Sequence, residues 1–110
     1  MATVEENRLK WSTYAWPKGG EEWSRRWGGA RREWCHTILS RILPFLPAPS
    51  VLEIAVGHGR WTGFLLDRCE RYHGIDIVES CIEHCRRRFA GRPKAVFSCN
   101  DGGDVTDDCR

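Results

Sequence analysis

A glycine-rich turn near the middle of the chain has the residue types needed to hold a small ligand. It lies in the segment Glu53-Ile54-Ala55-Val56-Gly57-His58-Gly59. Glycine has no Cβ, so at Gly57 and Gly59 the backbone can turn sharply and approach a ligand closely. A helix is predicted directly after the turn, and the N–H groups at its amino end favour a carboxylate. The turn therefore predicts a site for the anionic end of a small molecule.

Acidic residues follow the next two apolar runs. Asp76 ends the second run, nineteen residues after Gly57, and Asp101-Gly102 follows the third run. If the runs are parallel strands, their carboxyl ends meet at the edge of the sheet where such sheets bind ligands. A carboxylate at Asp76 can accept hydrogen bonds from both hydroxyls of a ribose, and one at Asp101 from the exocyclic amine of adenine. These positions predict a nucleoside site.

The elements that must position these residues follow from the hydrophobic pattern. Short apolar runs bounded by proline or glycine are typical of buried parallel strands, and they occur at 50–56, 72–77 and 95–99. Helical patterns lie between them, at 60–68 and 79–90. This alternation predicts an α/β fold with a three-stranded parallel sheet. We expect the first strand to be an exposed apolar edge that could drive self-association, unless the acidic last ten residues fold over it.

The first 49 residues have a different character. Residues 1–20 are polar and predict a loose arm whose aromatic side chains pack onto the rest of the protein; residues 21–43 predict helices interrupted at Gly28–Gly29. Trp23, Trp27 and Trp34 lie at helical spacing, which suits either a core or an aromatic cage for a cation, and we interpret them as core. We therefore divide the chain into an amino-terminal arm with helices, 1–49, and a partial ligand-binding domain, 50–110.

Residues 50–102 resemble the amino-terminal half of class I S-adenosylmethionine-dependent methyltransferases. The resemblance implies a Rossmann-like sheet with S-adenosylmethionine as cofactor, its methionine end on the glycine turn, its ribose at Asp76 and its adenine at Asp101. Ala55 departs from the pattern, because glycine is commonest there. The cofactor-binding residues implied are Glu53, Ala55, Gly57, Gly59, Asp76, Asp101 and Gly102.

The same resemblance leaves the methyl acceptor and the catalytic base unknown. In this family both usually come from the fourth strand onward, and no apolar run for such a strand follows Gly102. We expect a truncated chain that binds the cofactor weakly and transfers no methyl group by itself.

Two other functions fit parts of the pattern. A nicotinamide-binding domain also has a glycine turn and a distant acid, but it needs glycine or alanine three residues after Gly59, where this chain has Thr62. Glu53 also interrupts a strand that would be apolar in such a domain. A non-catalytic interaction fragment is the second alternative.

Composition bounds the remaining possibilities. A net charge of +2 gives no indication of nucleic acid or membrane binding, and the first residues do not form a signal peptide. We therefore interpret the six cysteines as reduced thiols of a cytoplasmic protein. Cys81, His84 and Cys85 share a helix face and are zinc-ligand types, but no second ligand pair accompanies them, so we predict core packing and no metal.

Overall fold

The computed structural model describes residues 1–103, and its centre is a three-stranded parallel sheet. The strands are β1 (Ala48–Ile54), β2 (Cys69–Asp76) and β3 (Ala95–Cys99), in the order β1-β2-β3. The register places Ile54 opposite Ile75 and Asp76 opposite Cys99, so the three carboxyl ends reach one edge together. The predicted α/β sheet is confirmed.

Helices follow the first two strands, as the apolar pattern predicts. Helix α4 (Thr62–Leu66) lies between β1 and β2, and α5 (Glu79–Arg88) between β2 and β3. Cys85 lies four residues after Cys81 and three after Ile82, so the three share the buried face of α5. This face joins one core cluster, formed by Val56, Leu66, Cys69, Tyr72, Ile82, Cys85 and Phe97.

Gly74 allows β2 to pack inside that core. A Cβ at this position would lie 2.8 Å from Val56 Cγ1 and 2.9 Å from Phe97 Cδ1. Each of the large apolar side chains packed around it contributes about 1.5–3 kcal/mol when fully buried. A side chain at 74 would displace these neighbours, so the absence of one allows Val56 and Phe97 to pack closely against β2.

The loose arm predicted for residues 1–20 is wrong over part of its length. Helix α1 (Val4–Ser12) begins with a capping box, in which Glu6 N donates to Thr3 Oγ1 at 3.1 Å and Thr3 N donates to Glu6 Oε2 at 2.8 Å. The helix has no buried residue, which explains why no apolar periodicity marks it. Arg8 Nε donates to the carbonyl oxygen of Ile77, and this bond holds α1 against the end of β2.

The segment between α1 and β1 is helical with the predicted break at Gly28–Gly29. A 3₁₀ helix spans Glu21–Trp27, before the glycines. After them, helix α2 (Ala30–Glu33) is followed without a break by a π helix at Trp34–Ile38 and by helix α3 (Leu39–Ile42). A short 3₁₀ helix at Leu43–Phe45 ends the segment. Trp34 is 2% exposed and stacks on Phe64. Trp23 and Trp27 are 40% and 47% exposed, so the core interpretation is wrong for these two. A 3₁₀ helix has three residues per turn, and residues four apart therefore do not share a face.

Within residues 1–103, β1 pairs only with β2 and is an edge of the sheet, as predicted. Ile54, at its carboxyl end, is 66% exposed. The acidic tail that could cover this edge lies, from residue 104 onward, outside the described residues. Every helix in the described part of the chain is too short or too polar to cross a membrane.

Candidate functional site

The glycine turn has left-handed backbone at each alternate position. The φ angles are +62° at Ala55, +57° at Gly57 and +84° at Gly59. A Cβ at Gly57 would lie 2.6 Å from the Trp16 ring, and one at Gly59 would lie 2.7 Å from the Phe89 ring. Glycine is thus needed at 57 and 59 for two reasons: the backbone is left-handed, and a Cβ would collide with a neighbouring ring. Ala55 adopts the same left-handed conformation, which costs an L-residue roughly 1–2 kcal/mol.

Asp76 is joined to the glycine turn by its side chain. Its Oδ2 accepts from Gly57 N at 2.9 Å and its Oδ1 accepts from Val78 N at 3.0 Å. Each carboxylate oxygen has two lone pairs, so Asp76 can accept further hydrogen bonds from a ligand. The structure therefore brings together the turn and the acid that the sequence predicts to cooperate.

Glu53 lies at the base of the turn and is half-buried. Its Oε1 accepts from the Tyr72 hydroxyl at 2.6 Å and from the Thr62 hydroxyl at 2.7 Å. Burial raises the pKa of Glu53, and the two hydrogen bonds oppose that rise. Sequence reasoning missed Tyr72 and Thr62 as partners, since no motif spacing connects these three positions.

Three adjacent cavities follow the strand ends in the described part of the chain, and Ala55 lines all of them. The first, about 210 Å³, is lined by Asp76, Asn100 and Gly102 among others. The second, about 410 Å³, lies between Asp76, Gly57 and the aromatic residues of the amino-terminal segment. The third, about 90 Å³, contains Glu53 and Arg60. An elongated ligand that lies along this row of cavities would meet the carboxylate of Asp76 near the middle. At one end it would meet the carboxylate of Glu53 and the guanidinium of Arg60.

Two of the predicted site residues line none of these three cavities. Asp101 is exposed, and its Oδ1 accepts from Gly103 N at 2.8 Å. Its neighbours Asn100 and Gly102 line the first cavity instead. Gly59 packs beneath Phe89 and allows the turn to approach α5.

The amino-terminal segment contributes an aromatic wall that sequence reasoning did not place at the site. Trp16 lies over Gly57 and stacks on His58, with ring centroids 4.1 Å apart, and His58 in turn stacks on His84 at 3.8 Å. Trp16 also contacts Trp23, at 5.2 Å between centroids. The signal was present as a high density of aromatic residues between positions 11 and 23, but their direction depends on how the segment folds back.

Electrostatics keep the stacked imidazoles neutral at neutral pH. Desolvation lowers the pKa of His58 to about 4, with His84, Arg88 and Arg87 acting in the same direction and Glu22 opposing them. Desolvation also lowers the pKa of His84. Uncharged rings can stack face to face without the repulsion that two imidazolium ions would feel.

The predicted packing of the cysteine–histidine face agrees with the geometry. Burial raises the pKa of Cys81 and of Cys85 to about 12, which keeps both thiols protonated, and Cys85 Sγ donates to the carbonyl oxygen of Gly57 at 3.2 Å. His84 faces His58. Within residues 1–103, no group of three His, Cys, Asp or Glu side chains is placed to hold a metal ion.

Comparison with known families agrees with this geometry. Residues 51–108 match the family model for the methyltransferase domain, which is more than half of the chain. The chain belongs to this methyltransferase domain family. A search of the curated proteins found no match.

Solved structures share the fold of this methyltransferase domain. A DhpI–SAH complex aligns with 96% of the chain, at a TM-score of 0.68 and 23% sequence identity. An S-adenosylmethionine-dependent methyltransferase from Clostridium acetobutylicum ATCC 824 aligns with 68% of the chain, at a TM-score of 0.58 and 18% sequence identity. A third match is phosphoethanolamine N-methyltransferase 1 from Haemonchus contortus, in complex with phosphoethanolamine and S-adenosylhomocysteine. It aligns with 90% of the chain, at a TM-score of 0.52 and 23% sequence identity. The chain spans 48%, 31% and 22% of the lengths of these three proteins.

The sheet of this methyltransferase domain is therefore Rossmann-like, and the nicotinamide-binding alternative is not favoured. The glycine turn and Asp76 lie at its carboxyl edge, where ligands bind in open parallel sheets. The wall opposite that edge comes from residues 11–23, which lie outside the matched range.

Proposed function

We propose that this chain binds S-adenosylmethionine in the row of cavities and forms the donor side of a methyltransferase. The observation that carries the proposal is the joining of Asp76 to Gly57, with Ala55 lining all three cavities beside them. S-Adenosylmethionine is an elongated molecule with an adenine, a ribose diol, a sulfonium and an amino-acid end. The cavities offer groups suited to these parts in the same order.

Each predicted site residue has a role in this proposal. Adenine occupies the first cavity beside Asn100 and Gly102, where Asp101 reaches the exocyclic amine if its side chain turns away from Gly103. The ribose hydroxyls donate to Asp76. The methionine end passes over Gly57, and its ammonium group lies near Glu53, while Ala55 and Gly59 set the path of the turn.

The residues of this chain orient the donor and shield it from water. When bound, the cofactor would supply a methyl carbon activated by its positively charged sulfur; an acceptor nucleophile would bond to that carbon as the carbon–sulfur bond breaks and S-adenosylhomocysteine leaves. Correct orientation of the two reactants contributes up to about 7–11 kcal/mol in such a step. The cytoplasmic location and self-association through β1 stay predictions from the sequence, as does the division of the chain at residue 49, and the sequence names no methyl acceptor.

Titration calorimetry on the 110-residue chain tests the proposal. We expect S-adenosylmethionine and S-adenosylhomocysteine to bind, and NAD to bind more weakly than either. Asp76→Asn should weaken S-adenosylhomocysteine about ten- to hundredfold, since hydrogen bonds to a charged group contribute about 1.5–3 kcal/mol. Asp67→Asn is the matched control, because Asp67 pairs with Arg92 and lines none of the three cavities. Tighter binding of NAD, or equal affinity in the two variants, would contradict the proposal.

A further inference from the structure

The 410 Å³ cavity has an unusual lining. Three of the residues that line it are tryptophans, Trp11, Trp16 and Trp23. Among the described residues that line it, Asp76 is the only charged one; the others are Asn7, Ala55, Gly57, Ile77 and Cys81. Indole faces carry negative electrostatic potential, so rings and carboxylate together favour a cationic occupant.

The rings are held in place by contacts with each other. Trp11 and Trp23 meet edge to face at an interplanar angle of 83°, and Trp16 and Trp23 at 79°. Trp16 also stacks on His58. Side chains that are already fixed lose little conformational entropy when a ligand binds. Less of the favourable interaction between the rings and a cation is therefore offset, and the affinity is higher.

Cations already lie against the same rings. The Lys10 Nζ atom is 5.0 Å from the Trp11 ring centroid, and the Arg60 guanidinium is 5.5 Å from that of Trp23. Neither residue lines the 410 Å³ cavity. The Glu22 carboxylate accepts a hydrogen bond from the Tyr14 hydroxyl, beside these rings, and offsets part of the positive charge of Lys10 and Arg60. Asp76 is thus the charge that faces the interior.

The position of the cavity identifies the cation. Asp76 and Gly57 both line it, and the proposed function assigns the ribose to Asp76 and the methionine chain to Gly57. In S-adenosylmethionine the sulfur joins these two parts. We propose that the indole wall recognises the positive charge of the sulfonium, so that this chain binds S-adenosylmethionine more tightly than its neutral product S-adenosylhomocysteine. This inference rests on the proposed function.

Three ligands separate charge from shape in a calorimetric test: S-adenosylmethionine, S-adenosylhomocysteine, and an analogue with a protonated amine in place of the sulfonium. We expect each cationic ligand to bind about tenfold more tightly than S-adenosylhomocysteine, as a desolvated cation–π contact allows. Trp16→Leu should remove most of this ratio. Trp27→Leu should preserve it, because Trp27 is 47% exposed and does not line the cavity. If Trp16→Leu fails to fold by circular dichroism, Trp11→Leu takes its place.

The outcomes distinguish this inference from the proposed function. Equal affinities for S-adenosylmethionine and S-adenosylhomocysteine in the unmodified chain overturn the inference alone, as does an unchanged ratio in the cavity variant. Binding of tetramethylammonium in the presence of saturating S-adenosylmethionine would assign the rings to a cationic acceptor and also overturn it. If neither nucleoside binds, the proposed function fails and the inference fails with it.

Discussion

At the scale of single residues, the glycine turn shows why the family pattern prefers glycine where this chain has Ala55. The residue has φ +62° and lines all three cavities, so its backbone cannot relax without changing the site. The alternate positions at Gly57 and Gly59 have the same left-handed backbone. The departure that the sequence displays is therefore a point of backbone strain.

Ala55→Gly should stabilise the chain by about 0.5–1 kcal/mol. Relief of the left-handed conformation gains roughly 1–2 kcal/mol, and the greater freedom of glycine in the unfolded chain takes back about 0.4–1 kcal/mol. Urea unfolding monitored by tryptophan fluorescence measures the difference. Ala95→Gly, in β3, serves as the control and should destabilise by about 0.5–1 kcal/mol. Destabilisation of both variants to the same extent would show that Ala55 is not strained.

Individual site residues were predictable to different degrees. The positions of Gly57 and Asp76 could be predicted because local backbone geometry demands glycine in a tight turn and because strand ends are marked by the apolar pattern. Tyr72 and Thr62 could not, since their bonds to Glu53 exist only once β1, β2 and α4 have packed. Asp101 had the expected place at a strand end, but its side chain bonds to its own loop.

At the scale of elements, the strands and their helices were predictable and the amino-terminal segment was not. The short apolar runs of the sequence mark β1, β2 and β3 to within a few residues, although β1 is an edge strand with no fully buried residue. Helix α1 buries no residue and is held by bonds such as that from Arg8 to Ile77, far away in the chain. Its one local signal, the capping box of Thr3 and Glu6, marks where a helix begins and not where it docks.

The stack of Trp16, His58 and His84 connects three elements and predicts a pH-dependent stability. Burial lowers the pKa of His58 to about 4 from the unfolded value of 6.5; His84, Arg88 and Arg87 act in the same direction and Glu22 opposes them. Between these values the unfolded chain binds a proton that the folded chain does not. Stability should therefore be complete above pH 6.5 and fall as the pH decreases towards 4.

Thermal unfolding between about pH 7.5 and about pH 4.5 measures this dependence. His58→Gln should flatten part of the fall, because His84, whose pKa is also lowered by burial, still contributes with the same sign. His36→Gln, at an exposed position, should leave the fall unchanged. Glu53 contributes with the opposite sign, because burial raises its pKa and favours the protonated form in the folded chain. Since both variants retain Glu53, the comparison isolates His58. The same slope in both would mean that the stack does not depend on a neutral His58.

At the scale of the whole molecule, two parts of the chain meet at the cavities. Residues 11–23 provide the indole rings and residues 53–77 provide the glycine turn and Asp76. The match to the methyltransferase domain begins at residue 51, so one of the two walls lies outside it. A ligand held between the walls binds only when both are in place, which couples its affinity to the docking of the amino-terminal segment.

This coupling predicts local protection from proteolysis. Lys18 is exposed and lies between Trp16 and Trp23, so trypsin should cleave after it when the segment lifts from the glycine turn. If lifting releases the ligand, S-adenosylhomocysteine at about ten times its Kd should slow this cleavage about tenfold.

Arg41, exposed in α3 and absent from the lining of all three cavities, is the internal control. Mass spectrometry of a digestion time course follows both bonds. Selective slowing after Lys18 supports lifting of the segment as a unit, whereas equal slowing after Lys18 and Arg41 would mean that cleavage requires global unfolding. An unchanged rate after Lys18 with the ligand bound would show that the amino-terminal segment is not a wall of the site.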